Sequence, residues 1–218
     1  MLEVITVCHD ITQADILRNS LIKNKWNYSM IQAEWKGFGT KLIATYNYLK
    51  ENPQVTEFIF CDAFDVICFG GEDEFREKLK ANYPDADMVL SAEKGCWPNG
   101  SLADQYPFSN SNFKYLNSGC YYSTREKFIE VIESNPVEYH DDDQLYFTKY
   151  FLEQQWLNVN NVLLDTEQVL FNSHSFIDEG EYGYDNGRIQ ILGNEPLFIH
   201  SNGRTIDPKL DEMLKNII

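Results

Sequence analysis

The chain has 218 residues, 43% hydrophobic and 14% aromatic, a composition that supplies a sizeable core and excludes a disordered chain. Its 34 acidic residues outnumber 18 basic ones, and a net charge of -16 repels phosphate backbones, which argues against a nucleic-acid binder. The absence of any run of about 18 apolar residues excludes a helical membrane span, and the length favours a single α/β domain over 1–218.

Residues 2–7 form the first predicted strand, without the basic flank and long apolar stretch of a signal peptide. Thr12 or Asp10 can cap an amphipathic helix over 13–24. Residues 28–33 alternate as a strand. The helix predicted over 41–50 places Leu42, Tyr46 and Leu49 on one face, and Asn52-Pro53 stops it. A buried β run over 58–60 ends abruptly in acids. A charged surface helix is predicted over 72–80, and a strand over 88–91 leads into a long irregular loop, 93–112. A strand within 114–122 and helices over 124–133 and 142–154 follow. A strand over 162–164, a hairpin around Asp185-Asn186-Gly187 and a last strand over 197–199 complete the chain.

Strands alternating with helices imply a mostly parallel sheet flanked by helices, with antiparallel strands added in the hairpin-rich second half. The five cysteines, Cys8, Cys61, Cys68, Cys96 and Cys120, are odd in number and lack a CxxC pair. They read as free thiols of a reducing compartment, so a cytosolic setting, cellular or viral, is expected.

Open sheets of this kind bind ligands outside the carboxyl ends of their strands. There the run Phe58-Ile59-Phe60-Cys61-Asp62-Ala63-Phe64-Asp65 places two acids three residues apart directly after an apolar strand. Two like charges beside a core are unfavourable unless something neutralises them. A hard divalent cation does so, and its remaining positions suit diphosphate oxygens. The alternative makes Asp62 a turn residue and Asp65 a solvated acid.

Further segments occur in order: Ser91-Ala92-Glu93 with Cys96-Trp97-Pro98, Tyr115-Leu116-Asn117-Ser118-Gly119, Asp141-Asp142-Asp143-Gln144-Leu145 and His200-Ser201-Asn202-Gly203. Together with the acid pair they resemble the glycosyltransferase domain of the procollagen lysyl hydroxylase (PLOD) family and the related procollagen galactosyltransferases, over roughly residues 36–205. The resemblance implies a GT-A-type nucleotide-binding fold, a UDP-sugar donor and Mn²⁺, with Mg²⁺ as a substitute. It makes Asp62, Asp65 and His200 the metal ligands. Phe64 would lie against the uracil ring, and Lys41, after Gly37-Phe38-Gly39-Thr40, would stand near the nucleotide.

Asp142 and Asp143 would act beside the transferred sugar, where a carboxylate favours an oxocarbenium-like transition state, with Asp141 as the helix cap. The competing reading gives the whole acidic run to helix capping. Asn117 is expected to meet sugar hydroxyls, Glu93 to serve the donor, and Trp97 to stack on a sugar or to be a core residue. Asn202 and Gly203 would face the diphosphate. The expected activity is hexosyl transfer, of glucose or galactose, onto a hydroxyl acceptor in a protein or glycan, hydroxylysine among the candidates. A nucleotide-sugar-binding module without catalysis and a sugar-phosphate nucleotidyltransferase are the rival readings.

Overall fold

The computed structural model describes residues 1–159, 161–178 and 180–202. A central sheet has the order β2 (Tyr28–Gln32), β1 (Leu2–Cys8), β3 (Glu57–Cys61), β6 (Tyr115–Thr124), β5 (Met88–Glu93) and β7 (Val162–Asp165). All its neighbours pair parallel except β6, which runs antiparallel to both β3 and β5. The antiparallel strand is therefore central rather than confined to the hairpins of the second half.

The sheet is covered on both faces, and the strand sequences record it. Successive residues alternate between two cores: Ile59, Cys61, Val89 and Tyr122 pack with Leu17 and Leu21 of α1 (Asp15–Lys23) and Phe75 of α3 (Glu72–Asn82). Phe58, Phe60, Leu90 and Tyr121 face the other way. They meet Leu42 of α2 (Gly39–Glu51), Phe128 of α4 (Arg125–Ser134) and Phe147 of α5 (Asp143–Trp156). Among the described residues, no helix is long and apolar enough to cross a membrane. All five cysteines are free thiols.

A second sheet, β4 (Val66–Cys68), β11 (Phe198–His200) and β8 (Phe171–Ser173), carries the polar end of the molecule. β9 (Tyr182–Asp185) and β10 (Arg188–Ile191) form the expected hairpin. Neither β4 nor β8 is expected from the sequence; both become strands through their pairing with the distant β11. The N-terminal cap also differs. Asp10 accepts the Thr12 N–H at 3.0 Å and closes a 3₁₀ turn, Ile11–Gln13, while α1 starts only at Asp15 after an uncapped Ala14.

Gly37 and Gly39 have a role that the sequence does not reveal. A Cβ on Gly39 would stand 2.0 Å from the Glu138 carbonyl oxygen, and one on Gly37 2.2 Å from that of Tyr139. The motif seats the chain that leads into α5. Gly39→Ala is expected to destabilise the fold by about 1–3 kcal/mol through overpacking. The reading is a lower urea midpoint at unchanged m-value; an unchanged midpoint would show that the two segments separate freely.

Candidate active site

β1, β3 and β5 end at the same edge of the sheet, and the antiparallel β6 begins there. Its register against β5 jumps from Leu90↔Tyr121 to Ser91↔Asn117, a bulge that brings Ser118 and Gly119 out beside the end of β3. The Asp62 N–H donates to the Gly119 carbonyl at 2.8 Å. Backbone pairing also delivers the third group: His200 pairs with Val66, and the Ser201 N–H donates to the Asp65 carbonyl at 2.8 Å.

Asp62, Asp65 and His200 consequently converge, with one ligand atom of each lying within 4.8 Å of the others. His200 Nε2 is 3.4 Å from Asp65 Oδ2 and 3.8 Å from Asp62 Oδ2. Gly119 makes room for the ring, since a Cβ there would come within 2.1 Å of His200 Cε1. Burial alone would depress the imidazole, but the hydrogen bond and charge of Asp65, with Asp62, raise it to about 9. Burial raises the Asp62 carboxyl above its ordinary value despite the charges of Lys41 and His200. At Asp65 burial acts the same way, yet His200 and Lys41 outweigh it and the carboxyl falls below its usual range. Two carboxylates and an imidazole are a donor set that suits a divalent cation.

Lys41 bridges this group to the acidic run. Its ammonium is 2.6 Å from Asp62 Oδ1 and 3.2 Å from Asp143 Oδ2, and the two acids raise its pKa against the lowering effect of burial. The contact to Asp62 Oδ1 is a charge contact rather than a well-directed hydrogen bond, which leaves that buried oxygen under-coordinated. Ser118 Oγ donates to Asp143 Oδ2 at 3.2 Å.

The three aspartates part company here. Asp142, not Asp141, is the α5 cap, accepting the Leu145 N–H at 2.7 Å. Asp141 instead accepts the Glu138 N–H at 2.7 Å and holds the preceding turn. Both line a hollow of about 240 Å³ with Leu145 and Lys149, and neither reaches the cavity beside Asp62. Asp143 is buried and faces the cluster. The helical dipole and the cap explain why acids occupy these positions, but only one of them points inward.

A cavity of about 530 Å³ opens beside Asp62 and Asp65, lined by Lys41, Phe64, His9, Trp35 and Phe38. Phe64 is 40% exposed and lies edge-on to His9, with ring centroids 5.4 Å apart. Trp35 and Phe38, 5.7 Å apart, supply further exposed aromatic faces. His9 and Trp35 belong to no motif that marks them in the sequence; Trp35 and Phe38 on either side of Gly37 were the available signal.

The remaining candidates form a buried polar network. Glu93 accepts from Asn117 Nδ2 at 3.2 Å and Gln144 Nε2 at 2.7 Å on one oxygen, and from Asn202 Nδ2 at 2.9 Å on the other. Burial pushes its carboxyl up while the amides hold it back. Asn202 also accepts the Ser175 N–H at 3.0 Å, so its amide is tied within the protein. Gly203 lies outside the described residues. Trp97 is not a core residue: it is 68% exposed, and its carbonyl accepts from Gln144 Nε2 at 2.9 Å. The amide of Asn117, expected to meet sugar hydroxyls, is fully engaged by protein groups.

Comparison with known proteins places this geometry. A family profile described as the PLOD GT domain matches residues 22–217. An uncharacterized protein of Acanthamoeba polyphaga mimivirus is 33% identical over 183 residues, covering 82% of this chain and 38% of that protein. The multifunctional procollagen lysine hydroxylase and glycosyltransferase of Caenorhabditis elegans is 27% identical over 187 residues, covering 82% of this chain and 26% of the relative. The chain thus spans well under half the length of these relatives. A crystal structure of a glycosyltransferase involved in glycosylation of the major capsid of PBCV-1 superposes with a TM-score of 0.55 at 11% identity, covering 99% of this chain and 98% of that one. The fold is that of the GT-A glycosyltransferases.

Proposed function

The chain belongs to the PLOD glycosyltransferase-domain family, and from that premise we propose that it transfers a hexose, glucose or galactose, from a UDP-sugar to a hydroxyl acceptor with a divalent cation, Mn²⁺ or Mg²⁺. The observation that carries the reading is the convergence of Asp62, Asp65 and His200 at the mouth of an aromatic-lined cavity. A cation bound there supplies positive charge to the departing diphosphate.

This chain's own residues do the rest. Phe64, Trp35 and Phe38 offer flat apolar faces that accept a base whatever its hydrogen-bonding edge. Lys41 adds a fixed positive charge beside the metal ligands and holds Asp143 by an ion pair. Asp143 presents the carboxylate that stabilises positive charge developing on the sugar, while Asp142 keeps the helix start in place. The exposed Trp97 is assigned to the acceptor, because an exposed indole can stack on a sugar. The acceptor is a hydroxyl of a protein or glycan, and the free thiols fit the cytosolic setting expected above.

A screen of UDP-sugars for donor hydrolysis, with and without Mn²⁺, tests donor, metal and catalysis together. UDP release that requires both components is expected. Binding without release would indicate a non-catalytic module, and pyrophosphate from a nucleoside triphosphate and a sugar phosphate would indicate nucleotidyl transfer.

The raised pKa of His200 sets a pH dependence. In the metal-free protein the imidazole keeps its proton to about 9, against 6.5 for an ordinary histidine. Its contribution to stability is complete below 6.5 and is lost as the pH rises through about 9. A cation must displace that proton, so apparent Mn²⁺ affinity should climb across the same window, by up to about tenfold per pH unit. Titrations followed by the electron paramagnetic resonance of free Mn²⁺ give the slope; a flat profile from 6.5 to 9 would show that the imidazole does not hold its proton across that range.

A further inference from the structure

We infer that Asn117 is a positioning residue for the metal centre: its amide oxygen accepts a hydrogen bond from the Nδ1–H of His200 and thereby presents Nε2 to a cation shared with Asp62 and Asp65. The inference rests on the metal-dependent reading of the site and gives Asn117 a task other than sugar contact.

Groups with a single hydrogen-bonding role fix the orientation of the others. The Gly119 N–H, which can only donate, points at Asn117 Oδ1 at 3.0 Å, so that atom is the oxygen. The other end of the amide faces acceptors, Glu93 Oε1 at 3.2 Å and Gln144 Oε1 at 3.4 Å. Gln144 is itself oriented, because its Nε2 lies 2.9 Å from the Trp97 carbonyl, which can only accept. With Oδ1 established as an acceptor, the 2.9 Å contact to His200 Nδ1 requires a proton on Nδ1. Nε2 is then the nitrogen facing Asp65 at 3.4 Å and Asp62 at 3.8 Å.

Metal-bound histidines are commonly held by a carboxylate on the second ring nitrogen, which fixes the tautomer. Here an amide stands between: Glu93 holds Asn117, and Asn117 holds His200. The interposed amide orients the ring while keeping a third negative charge off the imidazole of a site that already has two carboxylates. Gly119 completes the device. It supplies the N–H that orients the amide, and its missing side chain leaves the space the ring occupies.

Two measurements on the full chain test this. The first compares Mn²⁺ affinity, read from free-ion paramagnetic resonance, in the wild type, Asp65→Ala and Asn117→Leu. Asn117→Leu should bind about 10–100-fold more weakly than the wild type. The second reads the imidazole ¹⁵N signals of His200 in the wild type with Zn²⁺ bound, a diamagnetic ion that accepts both histidine nitrogen and aspartate oxygen. A protonated Nδ1 and a metallated Nε2 are expected, and this readout needs no variant to fold. Wild-type affinity in Asn117→Leu, or a proton on Nε2 with metal on Nδ1, overturns the role of Asn117 and leaves the metal site standing. Failure of the wild type to bind Mn²⁺, or undiminished binding by Asp65→Ala, overturns the metal reading and this inference with it.

Discussion

Asp65→Ala is expected to abolish metal-stimulated sugar transfer while the protein stays folded. Asp65 faces His200 Nε2 at 3.4 Å, and the neighbouring Asp62 oxygen lies 3.8 Å from the same nitrogen. Removing a partner outside the ligand shell of a metal typically reduces affinity or activity about 10–100-fold. Loss of a ligand itself should therefore lower turnover by at least about 100-fold at fixed Mn²⁺. The side chain of Asp65 is 39% exposed, so its ion pair with His200 is partly screened and its loss bears only modestly on stability. Comparing UDP release over a Mn²⁺ series with the thermal midpoint separates the two effects. Normal metal dependence in this variant would end the assignment of Asp65.

Asp143→Asn should have the second-largest effect, through a different route. The substitution keeps size and shape but removes the charge that Lys41 meets at 3.2 Å. UDP binding should persist, because the cavity walls at Phe64, Trp35 and Phe38 and the ligands Asp62, Asp65 and His200 are untouched. Transfer should slow by about 100–1000-fold, the scale reported for removal of one group that stabilises transition-state charge. The informative contrast is turnover against UDP affinity in the same preparation. Asp142→Asn serves as the comparison, since an asparagine cap retains the hydrogen bond to Leu145 N–H and should leave transfer close to wild type. Equal turnover in Asp143→Asn and wild type would leave Asp143 as no more than a structural partner of Lys41.

The long elements were legible because their periods are long enough to register. The strands of the central sheet and helices α2 to α5 were expected within a few residues of where they lie. The polar end of the fold was harder. β4 and β8 are strands by virtue of pairing with β11 across the chain, and β4 and β11 are what place His200 next to Asp65. The central antiparallel course of β6 was equally hidden, because direction is a property of the connection rather than of the strand.

Residue types at the site were visible; their division of labour was not. Consecutive aspartates at a helix start look alike in sequence, whereas the fold turns Asp142 to the backbone and Asp143 to Lys41. In the sequence the Gly37–Gly39 motif is only the lead-in to Lys41, whereas in the fold its glycines admit the backbone at residues 138 and 139. Asn117 looked free to meet a sugar, and only coordinates show its amide spent on Gly119, His200, Glu93 and Gln144. A side chain's partners across 83 residues of sequence, as between Asn117 and His200, are set by packing that no local pattern encodes.

The most direct test is an anomalous-scattering map at the manganese edge from crystals grown with Mn²⁺ and UDP. One peak bonded to Asp62, Asp65 and His200 Nε2, with diphosphate oxygens on its open side and the uracil among Phe64, Trp35 and Phe38, is the predicted result. A peak held by other residues, or a diphosphate bound apart from those three side chains, would contradict it.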